Sequence, residues 1–161
     1  MHAREALRIV EEMGPITALA VIENGVGWVY AHLGQNGEAL TCCQRALELH
    51  REIGYRAGEA DTLDSLGYIH NQVKDHRQAA ECYAQAAEIY HEIGDRFHRA
   101  GSQIGLGDAL LYVRKQAAAR KTWEQALTAP GLRRGTYPAQ AARHWRPSGR
   151  GTPRRVDRRD D

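Results

Sequence analysis

Apolar residues recur along this chain at the spacing of an α-helix, and short polar runs interrupt the pattern at regular distances. Between residues 61 and 73, one face collects residues at i, i+3, i+4 and i+7: Leu63, Leu66, Gly67 and His70. A polar run at residues 74–76 follows, and a second apolar face then continues to Gly94, a residue suited to the end of a helix. The pattern predicts two helices of about 16 to 19 residues joined by short turns.

The helix pair returns with a period of 40 residues. Small residues stay in phase across three copies: Gly27, Gly67 and Gly107; Ala39, Ala79 and Ala119; Ala46, Ala86 and Ala126. A fixed period between about 20 and 50 residues is typical of solenoids, in which each unit buries its apolar face against its neighbours. The sequence therefore predicts an all-α, antiparallel helix-pair solenoid of about three and a half repeats, and it favours binding over catalysis.

The register divides the chain into a half repeat at residues 1–20, repeats at 21–60, 61–100 and 101–128, and a tail at 129–161. Up to Thr128 the chain carries 13 Lys and Arg against 17 Asp and Glu, a net charge of −4. The tail carries 9 Arg against 3 Asp, a net charge of +6, together with four of the five prolines. Because the tail has few large aliphatic residues to bury against its ordering entropy, we predict that it is disordered.

The composition argues against several classes of protein. With 42% hydrophobic and 26% charged residues the chain is close to the globular norm. No apolar run reaches the roughly 18 residues of a membrane helix, and charged residues interrupt the first 13 positions, where a secretory signal would be apolar. Three cysteines, Cys42, Cys43 and Cys82, lack the paired spacing of a zinc site. We interpret them as reduced, buried thiols of a cytoplasmic protein.

Candidate catalytic patterns are weak. Residues 91–95 begin like a zinc-protease motif, with His91 and Glu92, but Asp95 stands where the second histidine is required. Gly94 would also end the helix between them. The sequence therefore indicates that the protein is not an enzyme, and it predicts no catalytic, cofactor-binding or metal-binding residues.

The in-phase residues resemble the tetratricopeptide repeat, a helix pair of about 34 residues with Leu-Gly at positions 7 and 8, aromatic residues at 11 and 24, and Ala at 20 and 27. The second repeat supplies Leu66, Gly67, His70, Ala79, Tyr83 and Ala86. The first supplies Val26, Gly27, Tyr30, Ala39, Cys43 and Ala46, and the third supplies Leu106, Gly107, Leu110, Ala119, Trp123 and Ala126. The resemblance covers about 128 of 161 residues and implies a superhelical array that binds other proteins.

The 40-residue version of the repeat, in which a long second helix ends in Glu-Ile-Gly-Asp-Arg, points to a subset of the family. It is similar to the C-terminal arrays of bacterial signal-transducing NTPases and antibiotic-regulatory-type transcriptional activators. No GxxxxGK[ST] phosphate loop and no recognisable DNA-binding domain precedes the repeats here. Residues 1–13 match only a second helix, and the third repeat stops early, near Thr128. One interpretation is a fragment of a bacterial regulatory protein whose tail comes from a shifted reading frame, and the other is a self-contained repeat protein.

The resemblance also implies a concave groove lined by positions 2, 5, 9, 12 and 13 of the first helices. In this chain those positions carry Asn24, Trp28, Ala31, His32, Asp61, Asp64, Tyr68, Asn71, Gln72, Ile104, Asp108, Leu111 and Tyr112. The aromatic side chains would offer apolar contact and the aspartates negative potential, which favours a basic or amphipathic segment of a protein partner. The alternative is that Trp28 and Tyr112 only pack between repeats. The exposed ends of the solenoid also predict self-association.

A second hypothesis places nucleic-acid binding in the tail. Its nine arginines would neutralise phosphates, while Tyr137 and Trp145 would stack on bases. Three aspartates dilute this charge, and the acidic repeats offer the same arginines an intramolecular partner. Nucleic acid is therefore the less favoured partner, and no membrane partner is predicted. A salt titration with a labelled oligonucleotide, using chains with and without residues 129–161, distinguishes the two hypotheses.

Overall fold

Six α-helices make up most of the part of the chain that the computed structural model describes, residues 14–128. They are α1 (Pro15–His32), α2 (Asn36–Glu52), α3 (Arg56–Gln72), α4 (His76–Glu92), α5 (Arg96–Tyr112) and α6 (Gln116–Leu127). No strand occurs within these residues. The predictions made for residues 1–13 and for the tail from residue 129 onward lie outside the described residues.

The turns between the helices all have the same backbone form. One residue in each turn has a positive φ: Gly34 (74°), Gly54 (68°), Lys74 (65°), Gly94 (77°) and Arg114 (63°). The amide of the next residue donates to a carbonyl five residues earlier, as from Gln35 to Tyr30 and from Asp95 to Tyr90, at 2.9 and 2.8 Å. This bond satisfies a carbonyl that the helix end would otherwise leave unpaired. The left-handed residue therefore recurs every 20 residues, twice in each repeat.

An aspartate caps the N-terminus of two of the helices, α4 and α5. The Asp75 carboxylate accepts the backbone N–H of Gln78 at 3.2 Å, and the Asp95 carboxylate accepts that of His98 at 3.0 Å. Each bond satisfies one of the free amides at a helix start, which typically stabilises a helix by about 1 kcal/mol. Residues 35 and 115, which are in phase with Asp75, are Gln and Lys, and residue 55, which is in phase with Asp95, is Tyr. The aspartate cap is therefore not shared by the helices that begin at these positions.

Consecutive helices pack side by side, and because the turns are short they run antiparallel. The first helices of the pairs, α1, α3 and α5, also contact one another in that order. Buried alanines lie where the helices approach each other, among them Ala39, Ala79 and Ala119. The predicted all-α array of antiparallel helix pairs is therefore confirmed for the described residues.

The ring of Tyr83 lies between three helices and determines which residues can face it. A Cβ added to Gly67 on α3 would lie 2.9 Å from this ring, and one added to Gly105 on α5 would lie 2.6 Å from it. Both distances are too short for a real side chain, so both positions require glycine as long as Tyr83 keeps its place. The buried ring also packs against Ala79 and Ala109, which joins the second repeat to the third.

Candidate functional site

The residues predicted to line the groove lie on α1, α3 and α5, the three first helices. Because these helices contact one another in order, their outer residues form one continuous surface, called here the first-helix surface. The structure brings some of the predicted residues together on this surface and separates others. Ala31 and Ile104 are buried, so the prediction that they face the groove is wrong.

Three of the predicted residues form an aromatic cluster. The ring centroids of Trp28 and His32 are 4.4 Å apart, those of Trp28 and Tyr68 are 4.9 Å apart, and those of His32 and Tyr68 are 5.4 Å apart. Trp28 and His32 lie one turn apart on α1, whereas Tyr68 comes from α3, so the cluster spans two repeats. Trp28 still has 41% of its surface exposed. The cluster thus packs between repeats and presents aromatic surface to solvent at the same time.

Gln72 fixes the position of α3 beside this cluster. Its Nε2 donates to the backbone oxygen of Ala31 at 3.2 Å, across the junction between the first and second repeats. Ala31 directly precedes His32, so this bond limits how far the two helices can separate at the cluster. A side chain predicted to contact a partner therefore already serves the packing of the array.

Two aspartates of α3 are engaged by neighbouring helices. Asp61 accepts a hydrogen bond from the Tyr90 hydroxyl at 2.5 Å, and Asp64 accepts one from Ser102 at 2.6 Å. Burial raises the pKa of Asp64, while the hydrogen bond from Ser102 acts in the opposite direction. Asp61 remains exposed and keeps part of its carboxylate for solvent or a partner. Asp64 is only partly accessible and serves mainly to connect α3 with α5.

The remaining predicted residues are spread along the surface. Asn24 is half-buried, with its Oδ1 3.6 Å from the Cys43 sulfur, and Asp108 is also half-buried. Tyr112 is exposed and stacks on His76 of α4, with centroids 4.2 Å apart and an angle of 11° between the rings. It lies outside the Trp28 cluster, so the first-helix surface does not present one uninterrupted aromatic row.

Sequence reasoning missed the contribution of Tyr83, Tyr90 and Ser102 to this surface. Burial raises the pKa of Tyr83, and the charges of Asp64 and Asp108 raise it further. The phenol therefore lies within the negative field of the predicted groove. The register did contain a signal for Tyr83. The second-helix residue enlarges from Cys43 in the first repeat to Tyr83 in the second, and the first-helix residue of the following repeat shrinks from Ser65 to Gly105. The hydroxyl contacts of Tyr90 and Ser102 had no comparable signal.

The described cysteines do not support thiol chemistry. Burial raises the pKa of Cys43 to about 12 and that of Cys82 to about 11, so both are protonated at neutral pH. Cys42 is half-buried, which corrects the prediction that all three thiols are buried. Residues 14–128 contain no group of three or more His, Cys, Asp or Glu placed to hold a metal ion. Within the same range no helix combines the length and apolar character needed to cross a bilayer.

Comparison with known proteins agrees with this architecture. A model of the tetratricopeptide repeat matches residues 18–92, which run from α1 to the end of α4. Among solved structures, the TPR domain of Arabidopsis FLU is similar, with a TM-score of 0.66 and 15% sequence identity. The match covers 70% of this chain and 95% of that domain. This is a tetratricopeptide-repeat fold. No curated protein sequence matches the chain significantly.

The tetratricopeptide-repeat match fits the local chemistry described above. The positions that the repeat reserves for small residues, Gly67, Ala79 and Ala86, are all buried at helix contacts here. Tetratricopeptide-repeat domains mediate contacts between proteins, and this is the coarse role that the fold supports. The similarity to the FLU domain is too low in identity to indicate a particular partner.

Proposed function

We propose that this tetratricopeptide-repeat array is a non-catalytic module that binds a segment of another protein across the first-helix surface. The observation that carries the proposal is the Trp28, His32 and Tyr68 cluster. It is held in place by two repeats and yet leaves 41% of the surface of Trp28 exposed. A rigid aromatic anchor with accessible area is the kind of residue that dominates the energy of protein interfaces.

We propose a partner segment that is basic or amphipathic. The aromatic rings offer faces that attract a cation, and Asp61 lies on the same helix as Tyr68, two turns towards its start. The positions predicted to line the groove contain aspartates and no lysine or arginine. An arginine or lysine side chain of a partner would therefore meet aromatic faces and negative charge together, whereas an acidic segment would be repelled.

The test uses synthetic peptides of about 15 residues with arginine or lysine at every third or fourth position, and acidic peptides of matched length. Binding is measured by titration calorimetry for the unaltered chain and for the Trp28→Ala variant alike, since Trp123 and Trp145 would also contribute to the fluorescence. We expect the basic peptides to bind and Trp28→Ala to weaken them by at least about tenfold, because truncating an aromatic anchor typically costs more than 1 kcal/mol. The matched control is Phe97→Ala, which removes an exposed aromatic residue at the start of α5.

Two results would contradict this proposal. The first is equal binding of basic and acidic peptides, since charge would then play no part in recognition. The second is an equal loss from Trp28→Ala and Phe97→Ala, since the cluster would then contribute no more than any exposed ring. Circular dichroism of both variants shows whether the helices are retained.

We further propose that the array serves a bacterial regulatory or signalling protein in the cytoplasm. The support is the 40-residue period and the Glu-Ile-Gly-Asp-Arg sequence that joins α4 to α5, which resemble the arrays of signal-transducing NTPases and transcriptional activators. Reading the coding sequence on both sides of this chain tests the proposal. An NTPase or DNA-binding domain in frame would support it, and unrelated genes on both sides would contradict it.

A further inference from the structure

A small depression opens between α4, α5 and α6, the last three helices that the structure describes. Its volume is about 180 Å³, and its lining includes Ala87, Glu88, Arg99, Gln103 and Thr122. It shares no lining residue with the predicted groove on the first-helix surface. A ligand of this depression would therefore bind independently of a partner segment on that surface.

The same place in the preceding junction, between α2, α3 and α4, is filled with apolar side chains. Leu63 is only 2% exposed there and packs in one cluster with Leu47. One period later, apolar side chains give way to smaller or polar ones: Leu47 to Ala87, Leu63 to Gln103, and Cys82 to Thr122. The junction of α4, α5 and α6 therefore has a polar opening where the preceding one has a packed apolar contact.

Gln103 presents a buried amide group to this depression. The residue is 7% exposed, and its side chain has no hydrogen-bond partner among residues 14–128. Buried amides in folded proteins nearly always have a partner, because leaving one unbonded is unfavourable. The NH₂ donor and the carbonyl acceptor of Gln103 are thus both available to a molecule bound in the depression.

Arg99 is a half-buried cation that pairs with no carboxylate in the described part of the chain. Its Nη1 donates to Nδ1 of His91 at 3.0 Å. One period earlier the charges are reversed, because Glu59 stands at this position and pairs with Arg51 at 2.8 Å and with Arg56 at 2.6 Å. A guanidinium group binds a carboxylate through two parallel hydrogen bonds. Arg99 therefore offers donors that suit the carboxylate of a ligand.

Glu88 supplies a negative charge to the same depression. No ion pair joins it to Arg99 or to any other residue between 14 and 128. The Thr122 hydroxyl donates to the carbonyl of Ala118 at 2.9 Å, so what it retains for a ligand is an acceptor. A carboxylate and a hydroxyl acceptor suit an ammonium group. Two opposite charges that share one depression without meeting fit a molecule that carries both.

We propose that the depression between α4, α5 and α6 binds a free α-amino acid with a small, uncharged side chain. The ligand carboxylate accepts hydrogen bonds from Arg99 and Gln103, and its ammonium group donates to Glu88 and Thr122. The volume of about 180 Å³ excludes a large side chain. Because the ligand contacts three helices of the folded chain, binding also raises the temperature of unfolding.

An NMR titration of the full chain with L-alanine as the probe tests the proposal. We expect saturable shifts of backbone signals from α4, α5 and α6, and of the side-chain amide signal of Gln103. Propionate lacks the ammonium group and ethylamine lacks the carboxylate. Each should bind at least about tenfold more weakly than L-alanine, because it leaves one charged side chain of the site unpaired.

Substitutions at the two charged residues have matched controls on the same helices. Arg99→Gln and Glu88→Gln should each weaken the binding of L-alanine by at least about tenfold. Arg96→Gln on α5 and Glu81→Gln on α4 change exposed residues outside the depression and should leave the binding unchanged. Glu88→Gln should also bring the affinity for propionate close to that for L-alanine, because the carboxylate that recognises the ammonium group is then absent.

Gln103→Leu separates loss of the site from loss of the fold. It introduces the residue that the preceding repeat has at this position, Leu63, so circular dichroism should show the same helix content while L-alanine no longer binds. Three results would each overturn the proposal. They are the absence of saturable shifts with L-alanine, equal binding of propionate or inorganic phosphate, and an equal loss from Arg99→Gln and Arg96→Gln.

Discussion

Helices α1 and α5 occupy the same register of the repeat and yet differ in which of their side chains are buried. At one position α1 carries an exposed isoleucine, Ile22, and α5 carries a fully buried serine, Ser102, whose hydroxyl bonds to Asp64. The polar residue is inside and the apolar residue is outside. In this solenoid the neighbours of a helix, and not the polarity of a side chain alone, decide which positions are buried.

Alanine substitution at Gly25 and Gly105, which are two periods apart, should give the largest difference in the free energy of unfolding between the two helices. A Cβ at Gly105 would lie 2.6 Å from the Tyr83 ring, whereas one at Gly25 has no atom within 4 Å. We expect Gly105→Ala to lower the free energy of unfolding by about 1 to 3 kcal/mol, the usual cost of overpacking a core. We expect Gly25→Ala to raise it by about 0.5 to 1 kcal/mol, because alanine favours an exposed helix.

Urea unfolding followed by circular dichroism measures both changes. The double variant Gly105→Ala with Tyr83→Cys provides a control, because it restores the small second-helix residue that Cys43 represents in the first repeat. The loss caused by alanine at position 105 should be smaller in that background. If both single variants changed stability in the same direction, the contrast between the two helices would be wrong.

A second effect concerns His50 of α2 and Tyr90 of α4, one period apart and both buried. The Tyr90 hydroxyl donates to Asp61, whereas Nδ1 of His50 has no hydrogen-bond partner among residues 14–128. Burial lowers the pKa of His50, against the smaller opposing influence of Asp61 and Glu59. As the pH falls below about 6.5, the unfolded chain therefore takes up a proton before the folded one does. The free energy of unfolding should decrease there, by at most about 1.4 kcal/mol per pH unit from this group.

Unfolding in urea between pH 8 and pH 5 checks this expectation when the chain is compared with His50→Gln. Glutamine cannot be protonated, so the difference between the two stability curves isolates the histidine. We expect that difference to be constant above the ordinary pKa of histidine and to change below it. Parallel curves down to pH 5 would show that His50 is protonated as easily in the folded chain as in the unfolded one.

The smallest effect is expected in the turns after α1 and α3. Gly34 and Lys74 are one period apart and have φ values of 74° and 65°. Because a side chain makes this conformation unfavourable by about 1 kcal/mol, we expect Lys74→Gly to stabilise the chain by about 0.5 to 1 kcal/mol. Gly34→Ala should destabilise it by about 1 kcal/mol or more. Thermal unfolding of both variants measures the two changes, and stabilisation by Gly34→Ala would contradict the shared turn geometry.

The fold could be predicted from the sequence because its determinants repeat. Glycine at the position of Gly67, and alanine at the positions of Ala79 and Ala86, recur in all three copies at a spacing of 40 residues. A helix contact that would be ambiguous in one copy is therefore supported by the other two. Helices α2 to α5 have 17 residues each, within the predicted range. The left-handed turn residue was less evident, since Lys74 and Arg114 replace glycine in two turns.

The candidate site could be predicted only in part. Helical spacing was sufficient to place Trp28 and His32 on one face of α1, and the register placed Tyr68 at the position equivalent to Trp28. The contact between the three rings is seen only in the structure. The engagement of Asp61 by Tyr90 and the stacking of Tyr112 on His76 depend on residues that differ between copies. Each of these contacts occurs once among the described residues, so the period of the sequence does not indicate it. The groove assignment as a binding site stays a prediction.

Because a residue with left-handed backbone conformation recurs every 20 positions, a whole 40-residue repeat can be removed between two equivalent turns. Gly54 and Gly94 end their helices with nearly the same φ, 68° and 77°, so removal of residues 55–94 would join Gly54 to Asp95 and rebuild the same turn. Asp95 would still cap α5, and Ser102 would face Asn24, an acceptor at the position of Asp64. Cys43 would then lie opposite Gly105 in place of Tyr83, leaving a gap. The length of this protein can therefore change in whole units, but each new junction has to be refitted in volume.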